Sequence, residues 1–383
     1  MTVTVWLLIG FCLAAVSLHA ATMALVWRRS RRPPPAAISS RGGEAVSILR
    51  PVCGLEDLEQ LTLASSFDLT WPDPELIFCV ATRADPAVPF LNRLIAAHPA
   101  ANARILIGDS CDTANPKLNN LIKGWQAATG DWIIMADSNL MLPRDYVEAL
   151  MARFTPDTGL VCAPPIAARP AGFWAEVECG FLNTYQARWQ YAADAVGFGF
   201  AQGKSMLWRR ADLERLGGIA ALGSELAEDA AATKLVRAGG RAVRLAGPSF
   251  EQPIGRRSAA QVINRQTRWA QLRRLTFPAY FVPEILTGSL PPAVAGATAS
   301  LLLDGPGLSV AVLLLSFWFG LEALLARAAG WPLSWRSPLA WLLRDLLIPL
   351  LWVRAFTAGG YEWRGNRIAI AGTGDAAMSP SAA

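Results

Sequence analysis

Histidine is nearly absent from this 383-residue chain, with only His19 and His98. A zinc site of Cys and His is thereby excluded in practice, and so is a catalytic design that leans on imidazole. Lysine is almost as scarce: Lys117, Lys123, Lys204 and Lys234 are the four present, against a total of 35 Lys+Arg. Charged residues make up 17% of the chain, below the roughly 25% of an ordinary soluble domain. Hydrophobic residues reach 53% and mean hydropathy is +0.30, which excludes a disordered, coiled-coil or collagen-like chain and points to a membrane protein. A net charge of +5 over this length is too small for a nucleic-acid binder. It suits a protein set against anionic lipid or handling an anionic substrate. The six cysteines contain no Cys-x-x-Cys pair and read as reduced thiols. Any metal is expected to be a hard ion held by carboxylate and phosphate oxygens.

Long apolar runs mark the two ends. Residues 1–27 carry no Asp, Glu, Lys or Arg, and the run is long enough to span the ~30 Å hydrocarbon core. Positive charge follows the run, at Arg28, Arg29, Arg31 and Arg32, instead of preceding it as in a cleaved signal peptide. We therefore expect a retained signal-anchor helix over 1–27 with the Arg cluster on the cytoplasmic side. A basic, proline-containing linker over 28–43 includes Pro33-Pro34-Pro35. A globular domain is expected over 44–279, a C-terminal membrane region of two or three helices over 280–357, and a partly disordered tail over 358–383. Candidate spans are 285–303, 308–328 and 339–356, the first two as a hairpin. The third carries Arg344, Asp345 and Arg354, and either spans with Arg344 and Asp345 facing protein or lies in the interface.

Between Val46 and Phe277, short β-branched runs alternate with helical patterns. Strands are expected at 46–49, 75–81, 104–107, 132–136, 159–163, 204–208 and 242–245. Helices are expected at 115–128, 144–154, 173–194, 227–238 and 258–274. This alternation predicts an α/β domain with a mostly parallel sheet and a ligand site at the carboxyl ends of its strands. Acidic residues sit where that rule directs attention. Asp85 follows one strand, Asp137 ends another in Asp137-Ser138-Asn139, and Asp229 stands beside Glu228 at a helix start. Arg265-Gln266-Thr267-Arg268-Trp269 lies on an amphipathic helix just before the membrane region. Such a set can hold a divalent cation against a diphosphate, bind a nucleotide, deprotonate a hydroxyl and neutralise a leaving group. Gly203-Lys204-Ser205 is not a P-loop, because Phe198 stands where the first glycine belongs and a strand follows.

Taken together, Asp85, Asp137, the Glu228-Asp229 pair and Arg265/Arg268/Trp269 resemble the inverting GT-A glycosyltransferases, in particular the ceramide glucosyltransferase family, glycosyltransferase family 21. Asn115-Pro116-Lys117-Leu118-Asn119-Asn120-Leu121 is similar to that family's Asn-Pro-Lys-x-Asn-Asn-Leu. The similarity covers roughly Ser47 to Pro283. It implies a GT-A domain with a mostly parallel mixed sheet, flanked by transmembrane helices, and transfer of a sugar, glucose first, from a UDP-sugar to the primary hydroxyl of ceramide or a related lipid. A hopanoid or other bacterial lipid acceptor, or UDP-glucuronate or UDP-GlcNAc as donor, is the alternative. A catalytically inactive lipid-binding subunit is the reading of a different class. By resemblance, Asp229 is the base and Arg268 and Trp269 are catalytic. Asp85, Lys117, Asp137 and Arg265 serve the donor, and Asp137 holds Mg or Mn. Asp-Ser-Asn departs from the Asp-x-Asp of many relatives, so Asp137 is the ligand and Asn139 a neutral helper. The setting implied is a bacterial inner membrane with the catalytic domain cytoplasmic.

Overall fold

The computed structural model describes residues 2–31, 44–56, 58–247, 249–363 and 366–369; for 361–363 and 366–369 only the backbone is described. Most of the expected linker and of the expected disordered tail thus falls outside the described residues. The chain forms two compact units that interleave along the sequence. One comprises Met1–Arg32, Ala167–Ala192 and Arg256–Ala358, and the other Pro33–Ile166, Ala193–Gly255 and Gly359–Ala383.

The second unit is built on a seven-stranded sheet. Its strands are β1 (Val46–Val52), β2 (Glu75–Val80), β3 (Ala103–Ile107), β4 (Trp132–Ala136), β5 (Thr158–Cys162), β6 (Ser205–Arg209) and β7 (Ala242–Leu245). They lie in the order β3-β2-β1-β4-β6-β5-β7. All neighbours are parallel except β6, which runs antiparallel to β4 and β5. The expected α/β class with a mostly parallel sheet is the one observed. β1 and β2 are buried at every position, as strands covered on both faces must be, and their run of Val, Ile, Leu and Phe reflects this. Connections step from β1 to β2 to β3 and then cross to β4 on the far side of β1. That reversal opens a crevice beyond the carboxyl ends of β1 and β4.

The first unit is helical. Thr2–Ser30 and Gly307–Ala328 are long and apolar enough to cross a membrane. The expected span 285–303 is not one helix. It resolves into a 3₁₀ turn, Val282–Leu286, and a helix, Leu290–Leu301. Gly288, with φ +87°, and the prolines after Leu290 break it. Twelve residues reach about 18 Å, well short of the ~30 Å core, so this helix packs against Thr2–Ser30 and Gly307–Ala328 without crossing as a helix itself. The third expected span is helix Ser337–Thr357, and its Arg344 and Asp345 face protein. Arg344 grips Glu322 of Gly307–Ala328 through both terminal nitrogens, at 2.8 and 2.9 Å, and donates to Asp345 at 2.8 Å. All three side chains are buried, which is how ionisable groups persist in apolar helices.

Gly130 shows how tightly β4 is set beside β1. A Cβ there would lie 2.7 Å from the Ser47 backbone nitrogen and 2.9 Å from the Ala45 carbonyl oxygen. Since both neighbours are backbone, Gly130→Ala is expected to destabilise the sheet unit by about 1–3 kcal/mol, lowering Tm by several degrees. Unchanged thermal unfolding of the purified variant would contradict this close approach.

Candidate functional site

The site is assembled at the carboxyl ends of β1 and β4. Arg50 sits in the middle of β1, fully buried. Its guanidinium donates to the carbonyls of Thr62 (2.7 Å), Asp137 (2.8 Å), Ser138 (2.9 Å) and Leu140 (2.9 Å), and to Ser66 Oγ (2.7 Å). Burial lowers its pKa to about 10, which leaves it cationic at neutral pH. The turn that follows β4 is therefore held by its own carbonyls, and the Asp137 side chain is left to do other work.

That side chain meets two of the chain's four lysines. Asp137 Oδ1 lies 2.5 Å from Lys117 Nζ and Oδ2 2.7 Å from Lys204 Nζ. Burial would raise the Asp137 carboxyl, but the two ammonium groups override it and hold it well below the usual carboxylate range. Lys204 also donates to Asn139 Oδ1 at 3.1 Å. Lys117 reaches further, to the Gly203 carbonyl at 2.6 Å and to Glu228 Oε1 at 2.6 Å. Burial works against its charge, yet Asp137 and Glu228 together raise its pKa. One ammonium thus bridges the strand-end carboxylate and the Glu228-Asp229 pair.

The Asn-Pro-Lys-x-Asn-Asn motif explains how Lys117 is aimed. Asn115 caps helix Pro116–Ala127, its Oδ1 accepting from the backbone N–H of Lys117 and Leu118, and Pro116 takes the first helical position. Asn115 Nδ2 donates to Glu228 Oε2 at 2.7 Å. Asn119 closes the preceding turn through Thr113, and Asn120 donates to the Cys79 carbonyl of β2. A Cβ at Gly203 would lie 2.7 Å from Glu228 Oε1, so a side chain there would push that carboxylate out of its place.

Glu228 therefore has both oxygens engaged, whereas Asp229 accepts from the Gly203 N–H through Oδ2 at 2.9 Å and is partly exposed. Burial, and then the neighbouring Glu228 charge, push the Asp229 carboxyl up to about 6, with the Gly203 N–H and Lys117 pulling the other way. A carboxyl near 6 is a competent base at neutral pH.

The remaining predicted residues are placed as follows. Asp85 is buried beyond β2, its oxygens accepting from the N–H of Gly54 (2.9 Å) and Ala87 (2.8 Å), so it ties the loops after β1 and β2 together. Arg265, Arg268 and Trp269 belong to the other unit, on helix Ala259–Thr276. Arg265 donates to Glu178 Oε1 at 2.6 Å; Glu178 is fully buried and also faces Arg257 at 3.3 Å. Arg268 and Trp269 are partly exposed. The structure brings the predicted Asp137, Lys117 and Asp229 together, and adds direct contacts from Lys204, Asn115 and Glu228, which the sequence reading does not place among the donor-binding or catalytic residues. The scarcity of lysine was the available signal. Among the described residues no cluster of three or more His, Cys, Asp or Glu could hold a metal by itself. Asp137 still fits a hard cation by type, since one carboxylate plus substrate phosphate is a sufficient donor set for Mg, although in this structure Lys117 and Lys204 hold its two oxygens.

Comparison with known proteins shows the family and the fold. The model of the family described as glycosyl transferase family 21 matches residues 3–376. Ceramide glucosyltransferase 3 of Caenorhabditis elegans is 26% identical over 84% of this chain and 72% of its own length. A ceramide glucosyltransferase of Komagataella phaffii is 42% identical over 101 residues, 25% of this chain and 20% of its own. A solved mannosyltransferase from Pyrobaculum calidifontis covers 91% of this chain and 98% of its own at 19% identity, with a TM-score of 0.51, which shows the shared GT-A fold.

The geometry predicts a pH profile. With Asp229 as the base, kcat/KM falls as pH drops through about 6, because the carboxyl then takes up its proton. Glu228→Gln removes a charge that raises this pKa, so the acid limb moves to lower pH. A limb that stays in place in that variant, or moves upward, would show that the rate is governed by another group.

Proposed function

The chain belongs to glycosyltransferase family 21, and from that membership and the site's geometry we propose that it transfers glucose from UDP-glucose to the primary hydroxyl of ceramide, with inversion at the anomeric carbon. The observation that carries the reading is the Lys117 bridge. It joins a strand-end carboxylate suited to the donor diphosphate to a pair of carboxylates of which only one is available as a base. The curated relatives named as ceramide glucosyltransferases support the acceptor and donor.

In this mechanism Asp229 takes the proton from the lipid hydroxyl as its oxygen attacks the anomeric carbon, and the bond to the diphosphate breaks with its electrons leaving on UDP. Lys117 and Lys204 bring positive charge to the strand end where the negative charge of the leaving group develops. A divalent cation, Mg or Mn, held by Asp137 with the Asn139 carbonyl beside it, supplies further electrophilic charge to the diphosphate when bound. Asp85, which ties the loops after β1 and β2 together, is given its nucleotide contact by the family motif. Arg268 and Trp269 enter the proposal through the family motif, while Arg265 orders its helix through Glu178. The sheet unit faces the cytoplasm, where UDP-sugars are made, and the arginines that follow the first apolar helix support that side.

Membranes carrying the chain, given UDP-glucose and ceramide, are expected to form a lipid heavier by one hexose and to lose this activity in excess chelator. Asp229→Asn keeps the shape and removes the base, so kcat should fall by on the order of 10²–10⁴ while UDP affinity stays within a few-fold. Near-normal turnover in that variant would remove Asp229 from the mechanism. Hexose transfer only to a lipid other than ceramide would overturn the acceptor.

A further inference from the structure

Two lysines share the two oxygens of Asp137, and each is placed for a different task. Lys117 Nζ lies among Asp137 Oδ1 at 2.5 Å, Glu228 Oε1 at 2.6 Å and the Gly203 carbonyl at 2.6 Å. Moving it away would strand Glu228, a carboxylate residue only 7% exposed, so Lys117 stays. Lys204 Nζ meets Asp137 Oδ2 at 2.7 Å and Asn139 Oδ1 at 3.1 Å. These are the two side-chain oxygens that the Asp137-Ser138-Asn139 turn offers to a hard cation, and an ammonium sits on both of them. The Lys204 backbone is fixed beside β4: its carbonyl accepts from the Asp137 N–H at 3.0 Å, and its N–H donates to Gln202 Oε1 at 2.9 Å. The side chain is 15% exposed, and its four-carbon stem can turn while that backbone stays in place.

The charges decide what can move it. A dication on Asp137 Oδ2 and Asn139 Oδ1 with Lys204 still in place would set like charges in contact in a largely buried site. A nucleoside diphosphate removes the conflict, because its oxygens give the cation its remaining ligands and give the displaced ammonium a new acceptor. We propose that Lys204 holds the cation position on Asp137 in the free chain and passes to the donor diphosphate when a divalent cation arrives, so that cation and nucleotide enter together. This role rests on the donor reading of the site and adds to it a lysine that both keeps a bare cation off Asp137 and binds the donor. The coupling is reciprocal: the factor by which UDP tightens the cation is the factor by which the cation tightens UDP.

The test is binding of Mn²⁺ and UDP to the full chain in detergent, with free Mn²⁺ read from its electron paramagnetic resonance signal and UDP by calorimetry. The parent should bind Mn²⁺ weakly alone, and UDP should tighten it by about 10- to 100-fold. Lys204→Met keeps the stem and removes the charge. It should bind Mn²⁺ alone about tenfold more tightly than the parent, and UDP with Mn²⁺ about five- to tenfold more weakly. Adding Asp137→Asn should abolish the gained Mn²⁺ site, and Lys204→Arg should bring both affinities back toward the parent. Opposite shifts mark the exchange, since a merely structural role would lower both affinities. Equal Mn²⁺ affinity of parent and Lys204→Met without UDP overturns the proposal, and so does a fall in both affinities. If Lys204→Met does not fold, the parent still decides: Mn²⁺ bound as tightly without UDP as with it overturns the proposal. The donor reading is judged separately, on the parent with Mn²⁺. Failure of UDP to bind there, with the Mn²⁺ gain in Lys204→Met intact, sinks the donor reading and keeps Lys204 as the group that excludes the bare cation.

Discussion

The site depends on one buried ammonium. Lys117 lies within 2.6 Å of Asp137, Glu228 and the Gly203 carbonyl, in a place where three acceptors without a cation would repel one another and stay unsolvated. Its presence lets Asp137 stay ionised at the strand end. It also removes Glu228 from the chemistry, since Asn115 takes the second oxygen of that carboxylate. Asp229 is what remains: a carboxylate raised toward neutrality by burial and by the charge next to it, and held in place by one backbone N–H. Arg50 does for the backbone what Lys117 does for the side chains. It gathers three carbonyls of the turn after β4 and so fixes where Asp137 emerges.

Much of the sheet unit was legible in the sequence because its signals are local. Trp132–Ala136 is the expected strand residue for residue, and Ser258 caps the expected helix with a full capping box closed by Gln261. The order of acidic residues led to the right strand ends. Long-range pairing was not legible. Lys204 lies 67 residues from Asp137, and nothing in the spacing of either announces the contact. An arginine inside the apolar run of β1 was a sign that backbone carbonyls needed a donor, and it passed unread. Strand Phe250–Arg256 escaped notice because Pro253 and Gly255 disguise it. The membrane-proximal chain misled most, since hydropathy alone counts apolar residues and does not see Gly288 and the following prolines cutting a 19-residue run into a turn and a short helix.

The helical unit follows a different logic, in which polar groups survive by pairing inside apolar surroundings. His19 stacks on Trp318 with ring centroids 3.6 Å apart, and Arg188 reaches Thr22. Arg344 bridges Glu322 and Asp345 across two helices.

If Lys117 and Asn115 leave Asp229 as the sole free carboxylate of its pair, the sugar can be displaced only once, directly by the lipid oxygen. The anomeric configuration of the product tests this most directly. Starting from α-linked UDP-glucose, the proton coupling at the anomeric position of the purified glycolipid should report a β-linkage. An α-linked product would mean retention, and would contradict the single-base arrangement on which this account of the site is built.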